Sequence, residues 1–462
     1  TSYYANFEWQ KSLDARDAGL ITDIGTELKV LGGNVFLTTS PTYYDRIVFY
    51  YNDAKSTFEQ EVTIPGTLPV VTETRQDEIV GRSRNGGLGW SHTFSYENVV
   101  NAAILHSGTR RNDTRYSEID LGTPFPTIPN ARERDEYEEN AYIAALSHTF
   151  KAGDLTWRYG LEGGWISESQ TQTIEDLIGG ASGTASSSDR TSVASVYVDL
   201  LHEIQSNLKA EYAVFGNYLS NDASDGVRLE PRLGLAWSPV EGQWLRAAVM
   251  RSSTDLSTPT LSPVSVVGLQ PNAFDVAPEG RADTVALRWD AEWTDRFFTA
   301  AEFQHQGVRY MQIAVPLTAV PFTTSEGRID RASLTGNLLL GHGFGLSSTI
   351  AYADSEEKGG SLPAGSSLPF IPEWAGQLAL TYVNPANVQV SLAANYIGER
   401  IGSAGTGLGD YWTLDSKLTW EPLDKRMALE LEAFNLLDEE FEVDAGVPAW
   451  GRSFKGTLKV RF

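Results

Sequence analysis

The feature that most constrains this chain is a two-residue alternation of apolar and polar side chains, repeated from one end of the sequence to the other. Between Tyr411 and Phe462, one strand face carries Met427, Leu429, Leu431 and Ala433 and the other Ala428, Glu430, Glu432 and Phe434. Phe454, Gly456, Leu458, Val460 and Phe462 likewise oppose Lys455, Thr457, Lys459 and Arg461. A single strand of this kind also fits a soluble sheet with one wet face. The repetition decides: Leu155, Trp157, Tyr159, Leu161, Gly163 and Trp165 oppose Thr156, Arg158, Gly160, Glu162 and Gly164, and Val285 to Trp293 and Val388 to Tyr396 alternate in the same way.

The alternating segments are joined by connections that are short and long in turn. Short ones fall near Gly32 to Gly33, Tyr96 to Asn98, Lys151 to Asp154 and onward to Pro422 to Lys425, with turn residues such as GG, YEN, AGD and NPAN. Long polar ones fall near Asp53 to Ile79, Asn112 to Glu136, Thr171 to Asp189, Ser253 to Glu279, Glu357 to Pro369, Arg400 to Leu408 and Asp438 to Ala449. Short turns at one end and long loops at the other are the asymmetry of outer-membrane barrels. The pattern predicts an all-β, transmembrane, antiparallel up-and-down barrel of about 20 strands (roughly 18–22), in the bacterial outer membrane. All of 1–462 is expected to be one barrel domain, with the first two strands inside residues 1–31.

Composition agrees with this and removes other classes. No run of 18 apolar residues exists, so a membrane-crossing helix is excluded, while barrel strands remain compatible with the mean hydropathy of −0.25. The formal charge of −24 argues against nucleic acid, which needs clustered Lys and Arg. Absence of cysteine removes thiolate metal sites and disulfide scaffolds. No signal peptide stands at Thr1, so the chain is expected to be a mature form or the C-terminal part of something longer.

An Arg on the lipid face near the midplane costs about 2–4 kcal/mol, so the charged faces should look into the lumen. The lumen-facing candidates are Arg158, Glu162, Arg246, Arg288, Asp290, Glu292, Asp415, Lys417, Glu430 and Glu432, and their mixed signs suit a hydrated wall. Aromatics at strand ends (Trp90, Phe94 and Tyr96; Trp237 and Trp244; Trp289, Trp293, Phe297 and Phe298) are read as an interfacial girdle. The hairpin bottoms WSHTFSYEN and LSHTFKAGD repeat one another, and give His92 and His148 interfacial structural roles. None of the six histidines has metal-ligand or catalytic spacing, GGASGT lacks the ending of a phosphate loop, and no GxSxG elbow is present. Acidic stretches in the loops, Asp135 to Glu139 and Asp438 to Glu442, are read as solvated charge; Asp438, Glu439 and Glu440 are weak Ca²⁺ candidates. No catalytic residue, no other metal and no cofactor are expected.

From Arg228 onward the chain resembles the barrel of TonB-dependent outer-membrane transporters. The resemblance lies in EPRLGLAWSPVEGQWLRAAVMRSSTDLSTPTL, in which Pro259, Thr260 and Leu261 match an APTL-like element while Asp255 to Ser257 replace the usual aromatic and Arg. It continues through IPEWAGQLALTY, NYIGER and AFNLLDEEFE, where Asn435, Leu436, Leu437 and Asp438 match an NLxD signature. Phe462 matches the terminal aromatic that resembles an outer-membrane assembly signal. What this resemblance implies is solute transport, in contact with outer-membrane lipid, lipopolysaccharide and the barrel-assembly machinery, and a TonB-type energy transducer or a plug as partner. Here strands are expected almost from Thr1, with no plug-sized α+β stretch before them and about 20 strands where the family has 22. Two alternatives stay open: the C-terminal pore of a longer protein with a periplasmic module such as helical repeats for polymer export or assembly, and a structural surface scaffold.

Overall fold

The structure, a computed structural model, describes residues 2–18, 21–65, 72–122, 127–221, 225–253, 260–270, 275–315, 322–422, 426–449 and 451–460. Phe462, Pro259 and Asp255 to Ser257 lie outside the described residues. In chain order the strands are β1 (Ser2–Ala18), β2 (Ile21–Thr39), β3 (Asp45–Pro65), β4 (Thr72–Ser95), β5 (Asn98–Asp120), β6 (Ile128–Ala152), β7 (Leu155–Asp176) and β8 (Ser182–Gln205). They continue with β9 (Leu208–Ser220), β10 (Asp225–Trp237), β11 (Gln243–Ser252), β12 (Asp275–Thr294), β13 (Phe297–Ile313), β14 (Phe322–Gly341), β15 (Phe344–Gly360), β16 (Trp374–Asn384) and β17 (Val388–Ile397). The short pair β18 (Arg400–Ile401) and β19 (Gly407–Leu408) precedes β20 (Tyr411–Trp420) and β21 (Met427–Phe434). A second short pair, β22 (Glu442–Asp444) and β23 (Val447–Pro448), precedes β24 (Ser453–Val460).

Among the described residues twenty strands form one sheet, each antiparallel to its neighbour in the chain once the two short pairs are set aside. β24 lies beside β1, so the sheet closes into an up-and-down barrel. Closure is what the apolar outer face demands, since an open strand edge in hydrocarbon would leave backbone N–H and C=O groups without partners.

The outward face follows from exposure. On β7, Tyr159, Leu161 and Trp165 are exposed, as are Leu88 and Trp90 on β4 and Val285, Leu287 and Trp293 on β12. Two aromatic girdles bound this apolar band. Near the short turns, Trp289 and Trp293 meet edge to face at 5.5 Å and Phe344 lies 4.6 Å from Tyr382. Near the long loops, Tyr142 stacks on His106 at 4.6 Å and lies 5.4 Å from Trp165, and Tyr352 meets Trp374 at 5.0 Å. Trp157 to Trp165 on β7 spans about 20 Å along the membrane normal, at about 3.3 Å rise and about 40° tilt, close to the height of a barrel's apolar band. His92 and His148 do take structural roles at the short-turn end: His92 Nδ1 lies 2.8 Å from Asp45, and the His148 ring nitrogens lie 2.6 Å from the Tyr159 hydroxyl and 2.7 Å from Asn98.

Four expectations need correction. Gly32 and Gly33 lie inside β2 rather than in a turn, where a Cβ on Gly32 would stand 3.2 Å from Ala54 of β3. The first short turn is at 40–44, held by Thr42, whose hydroxyl donates to Asp45 (2.5 Å) and accepts the Tyr44 and Asp45 amides. Most of the long connections expected between Asp53 and Asp189 are strand: β3 to β8 run 21 to 25 residues, twice what a membrane requires, so the barrel wall continues beyond the lipid. Both faces are wet there, and the alternation that marks a strand in lipid disappears. Accordingly Asp135 to Glu139 sits in β6, its acids spread over both faces and bonded along the ladder, as when Gln170 donates to Asp135 (2.8 Å) and Tyr137 to Glu139 (2.8 Å). Lastly, Trp244 and Phe298 are not girdle residues: Trp244 packs inward against a buried apolar cluster, and Phe298 lines an inner hollow with Arg288 and Glu302.

The lipid band makes a direct prediction. Leu161→Arg, at the middle of the band on β7, should destabilise the barrel by about 2–4 kcal/mol in lipid. Urea unfolding from vesicles measures it, and unchanged stability would contradict the outward placement of this face.

Candidate functional site

The inner wall is where the sequence-predicted charges come together. Arg158 of β7 reaches Asp199 of β8 at 2.6 Å and donates to Glu211 of β9 at 2.5 Å. Arg246 of β11 donates to Asp290 of β12 (3.0 Å), and Arg288 donates to Asp290 (2.8 Å) and to Glu302 of β13 (3.1 Å). Farther round, Lys417 of β20 pairs with Glu432 (2.8 Å) and Glu430 (3.5 Å) of β21, and Lys459 and Lys455 of β24 approach the same two carboxylates. Asp415 accepts from the Asn395 amide side chain (2.8 Å) and the Asn435 backbone (2.9 Å). Glu292 stands exposed at the short-turn end, lining the same hollow as Arg288 and Asp290. The wall is thus a mosaic of both signs, much of it in ion pairs, which wets the lumen without giving it one sign.

Glu162 does something different. Its carboxylate accepts the Thr260 hydroxyl at 2.8 Å and the Leu261 amide at 2.6 Å, and both donors belong to the connection between β11 and β12. That connection leaves the long-loop end of β11 and folds down inside the barrel. Arg232 of β10 donates to the Pro263 carbonyl (2.9 Å), and Tyr197 of β8 donates to the Leu261 carbonyl (3.4 Å). At the start of the descent, the fully buried Glu230 accepts the Ser253 amide (2.9 Å) and hydroxyl (2.6 Å) and the Asn217 side chain (2.6 Å).

The tip is a tight turn, Val266 to Leu269, closed by reciprocal backbone bonds of 2.9 and 2.8 Å. Val267 (φ 45°) and Gly268 (φ 81°) both take positive φ, as a two-residue hairpin turn of the I′ kind requires. For a β-branched residue that geometry costs on the order of 1–3 kcal/mol. Two barrel residues hold Val267 in it: Glu211 accepts its amide at 2.6 Å, and Arg246 donates to its carbonyl at 2.8 Å. Beneath the tip, Val266, Val267 and Leu269 form a buried cluster with Ala236, Ala248, Met250 and Ala286. Small wall residues make the room, above all Gly234, where a Cβ would come within 2.7 Å of Val267. The hairpin and the wall enclose a cavity of about 120 Å³ lined by Glu162, Asn217, Glu230, Arg232, Thr260 and Ser262 among others.

A second connection, 361–373 between β15 and β16, also turns inward. Its Leu368 is fully buried against Ala282, Val308, Met311 and Ile329. Between β17 and β24, the loops carrying the two short pairs are tied to each other: Arg400 donates to the Glu442 carbonyl (2.6 Å), Ser403 donates to Asp444 (2.5 Å), and Tyr411 stacks on Phe441. The structure does not gather Asp438, Glu439 and Glu440 round one point. Asp438 accepts the Arg452 amide, and Asn435 bonds both the amide and the carbonyl of Glu439, so the stretch is a capped turn. Among the described residues no group of three or more His or acidic side chains is placed to hold a metal.

Glu211, Glu230 and Arg232, which receive the hairpin, and Asp199, which pairs with Arg158 beside it, were not singled out from the sequence. The alternation rule, extended through VYVDL, KAEYAV and LEPRLGL, puts all four on the inward face. Thr260 and Leu261 were visible as a motif, but nothing in the sequence says that a loop points inward.

The β-barrel model of the family described as TonB dependent receptor-like matches residues 1–436. No curated protein sequence matches the chain. Solved structures share the fold: the copper transporter OprC (TM-score 0.64, 13% identity, covering 100% of this chain and 83% of that one), the ferric yersiniabactin uptake receptor FyuA from Yersinia pestis (0.62, 11%, 100% and 80%) and the siderophore receptor PiuA from Acinetobacter baumannii (0.58, 12%, 99% and 82%). The chain belongs to the TonB-dependent receptor β-barrel family, and is a transport barrel of the bacterial outer membrane.

The hairpin's seat can be tested because the chain has no cysteine of its own. A single Val266→Cys should be shielded from a water-soluble maleimide. Adding Gly234→Leu overpacks the seat, by about 1–3 kcal/mol, and should raise the labelling rate several-fold while the barrel stays folded. Equal rates in the folded protein would mean that the tip does not rest on β10.

Proposed function

We propose that residues 1–462 are one barrel domain that carries a solute from the cell surface to the periplasm along its charged inner wall, past the β11–β12 hairpin. The observation behind this reading is the attachment of the hairpin. Six residues from five strands (Glu162, Tyr197, Glu211, Glu230, Arg232 and Arg246) bond to residues 253–267 of one connection, which therefore occupies lumen that a bare pore would leave to water. A lumen of this strand number is wide enough to conduct unless filled. The ten charged wall positions predicted from sequence would then be the polar surface that a solute meets.

In this reading the natural partners are a plug within the lumen and a TonB-type energy transducer, with outer-membrane lipid, lipopolysaccharide and the assembly machinery around the barrel. The neighbouring proteins are named a copper transporter and a ferric yersiniabactin uptake receptor, and a metal chelate is the substrate class to try first. The protein acts as a conduit rather than a catalyst.

Planar-bilayer conductance tests the reading. Replacing 260–270 with a short Gly-Ser linker should raise single-channel conductance several-fold over the parent protein in matched bilayers. The same conductance from both would show that the hairpin does not limit passage.

A further inference from the structure

The upper part of β8 has a neighbour on one side only. β7 stays with it from Leu155 opposite His202 to Glu175 opposite Ser182, without a break in register. On the other side the ladder with β9 ends at Ser192 opposite Ser220. Residues 182–191 are therefore a sheet edge, about 33 Å long at about 3.3 Å per residue. The edge lies in water, since it begins above Ser192, which stands opposite the girdle residue Trp165. Parity fixes which backbone groups are left over. The Ala181 carbonyl accepts the Asp176 amide and the Glu203 amide donates to the Asp154 carbonyl, both at 2.8 Å, so odd-numbered residues of β8 turn to β7. Even-numbered ones, Ser182, Thr184, Ser186, Ser188 and Arg190, turn to the open edge. The Arg190 amide bonds its neighbour Asp189 (2.7 Å), and among the described residues no strand meets the amides of the other four. Sheet edges are ordinarily blunted by Pro, Lys or a bulge, and SGTASSSDRT has none of these.

The inner face beside this edge carries a row of like charge. Glu139 of β6, Glu168 of β7 and Asp189 of β8 stand directly opposite one another, an arrangement that destabilises a sheet. Glu139 accepts the Tyr137 hydroxyl and Asp189 the Arg190 amide, but among the described residues no Lys or Arg pairs with any of the three. The row ends at the open edge. A further strand there would meet Asp189 in a non-hydrogen-bonded pair, with Cα atoms about 4.5 Å apart and side chains in closest approach. We propose that this edge receives an extended segment of a partner polypeptide, which adds to β8 as an antiparallel strand and sets a Lys or Arg opposite Asp189. Main-chain bonds to the even-numbered residues supply the affinity. The cation closes the row of acids and fixes the register, while the small side chains of 182–188 leave room on both faces of the incoming strand. The surface lies above the membrane and outside the lumen, so the inference stands or falls separately from the transport reading.

The test is fluorescence anisotropy of a labelled peptide on the purified full chain, with heat-modifiability on gels as the check of folding. The probe is a peptide of about ten residues, alternating Thr and Val, with Lys third, the position that falls opposite Asp189 when it runs antiparallel from Thr191 to Ser182. A twin probe carries Glu there, and the parent protein should bind the lysine probe several-fold more tightly than the twin. Ser186→Pro with Ser188→Pro removes two edge amides and no backbone bond to β7, and should weaken the lysine probe about tenfold. Ser186→Ala with Ser188→Ala keeps those amides and should bind as the parent does, although both pairs lose the Ser186–Thr171 hydroxyl contact (3.2 Å). Asp189→Lys should reverse the preference between the two probes, and gives the comparison should the proline pair not fold. No binding of the lysine probe at millimolar concentration, equal binding by parent and proline pair, or an unchanged preference in Asp189→Lys would each overturn the proposal. So would a dimer of the parent that the proline pair dissolves, since a second copy would then close the edge.

Discussion

A β-strand in hydrocarbon has no water to satisfy its N–H and C=O groups, and each group left unpaired there costs several kcal/mol. Everything else in this protein depends on meeting that constraint. The sheet closes, β24 beside β1, because no edge strand can be left open to lipid. Closure separates an outer face, which must be apolar, from an inner face, which water can reach. The side chains then sort by position parity: Leu161 and Trp165 outward, Arg158 and Glu162 inward, on one strand. The same rule explains why two loops fold into the barrel. Once the lumen is wide, apolar segments such as Val266 to Leu269 and Leu368 can be buried against small residues of the inner wall, as on any soluble core.

The parts of this architecture under the lipid constraint were legible in the sequence. Fold and strand number follow from it, since lipid punishes exceptions. Where the constraint lapses, legibility goes with it. β6 carries Asp135 to Glu139 in a strand because both of its faces are wet beyond the girdle, and a polar run in a wet strand reads like a loop. Gly32 and Gly33 read like a turn because glycine marks both turns and close strand contacts, and only the neighbouring strand tells them apart. The hairpin site was half legible. Its acceptors sit at inward positions, but their partners are backbone groups of a distant connection, such as the Val267 amide for Glu211, and backbone groups leave no trace in a sequence.

Val267 concentrates the functional argument. A β-branched residue held at φ 45° is retained only where its surroundings over-determine it, and here both of its backbone polar groups are bonded to barrel side chains. Those side chains belong to the ion-pair mosaic of the wall: Glu211 shares Arg158 with Asp199, and Arg246 shares Asp290 with Arg288. Wall charge and hairpin position are therefore linked.

If position parity separates lipid from lumen, a single-cysteine scan along β7 from Thr156 to Trp165, in reconstituted bilayers, will show it. Even-numbered positions should react with a water-soluble maleimide, and odd-numbered positions should not, quenching instead a lipid-borne probe. Reaction without alternation, or alternation of the opposite sense, would contradict it.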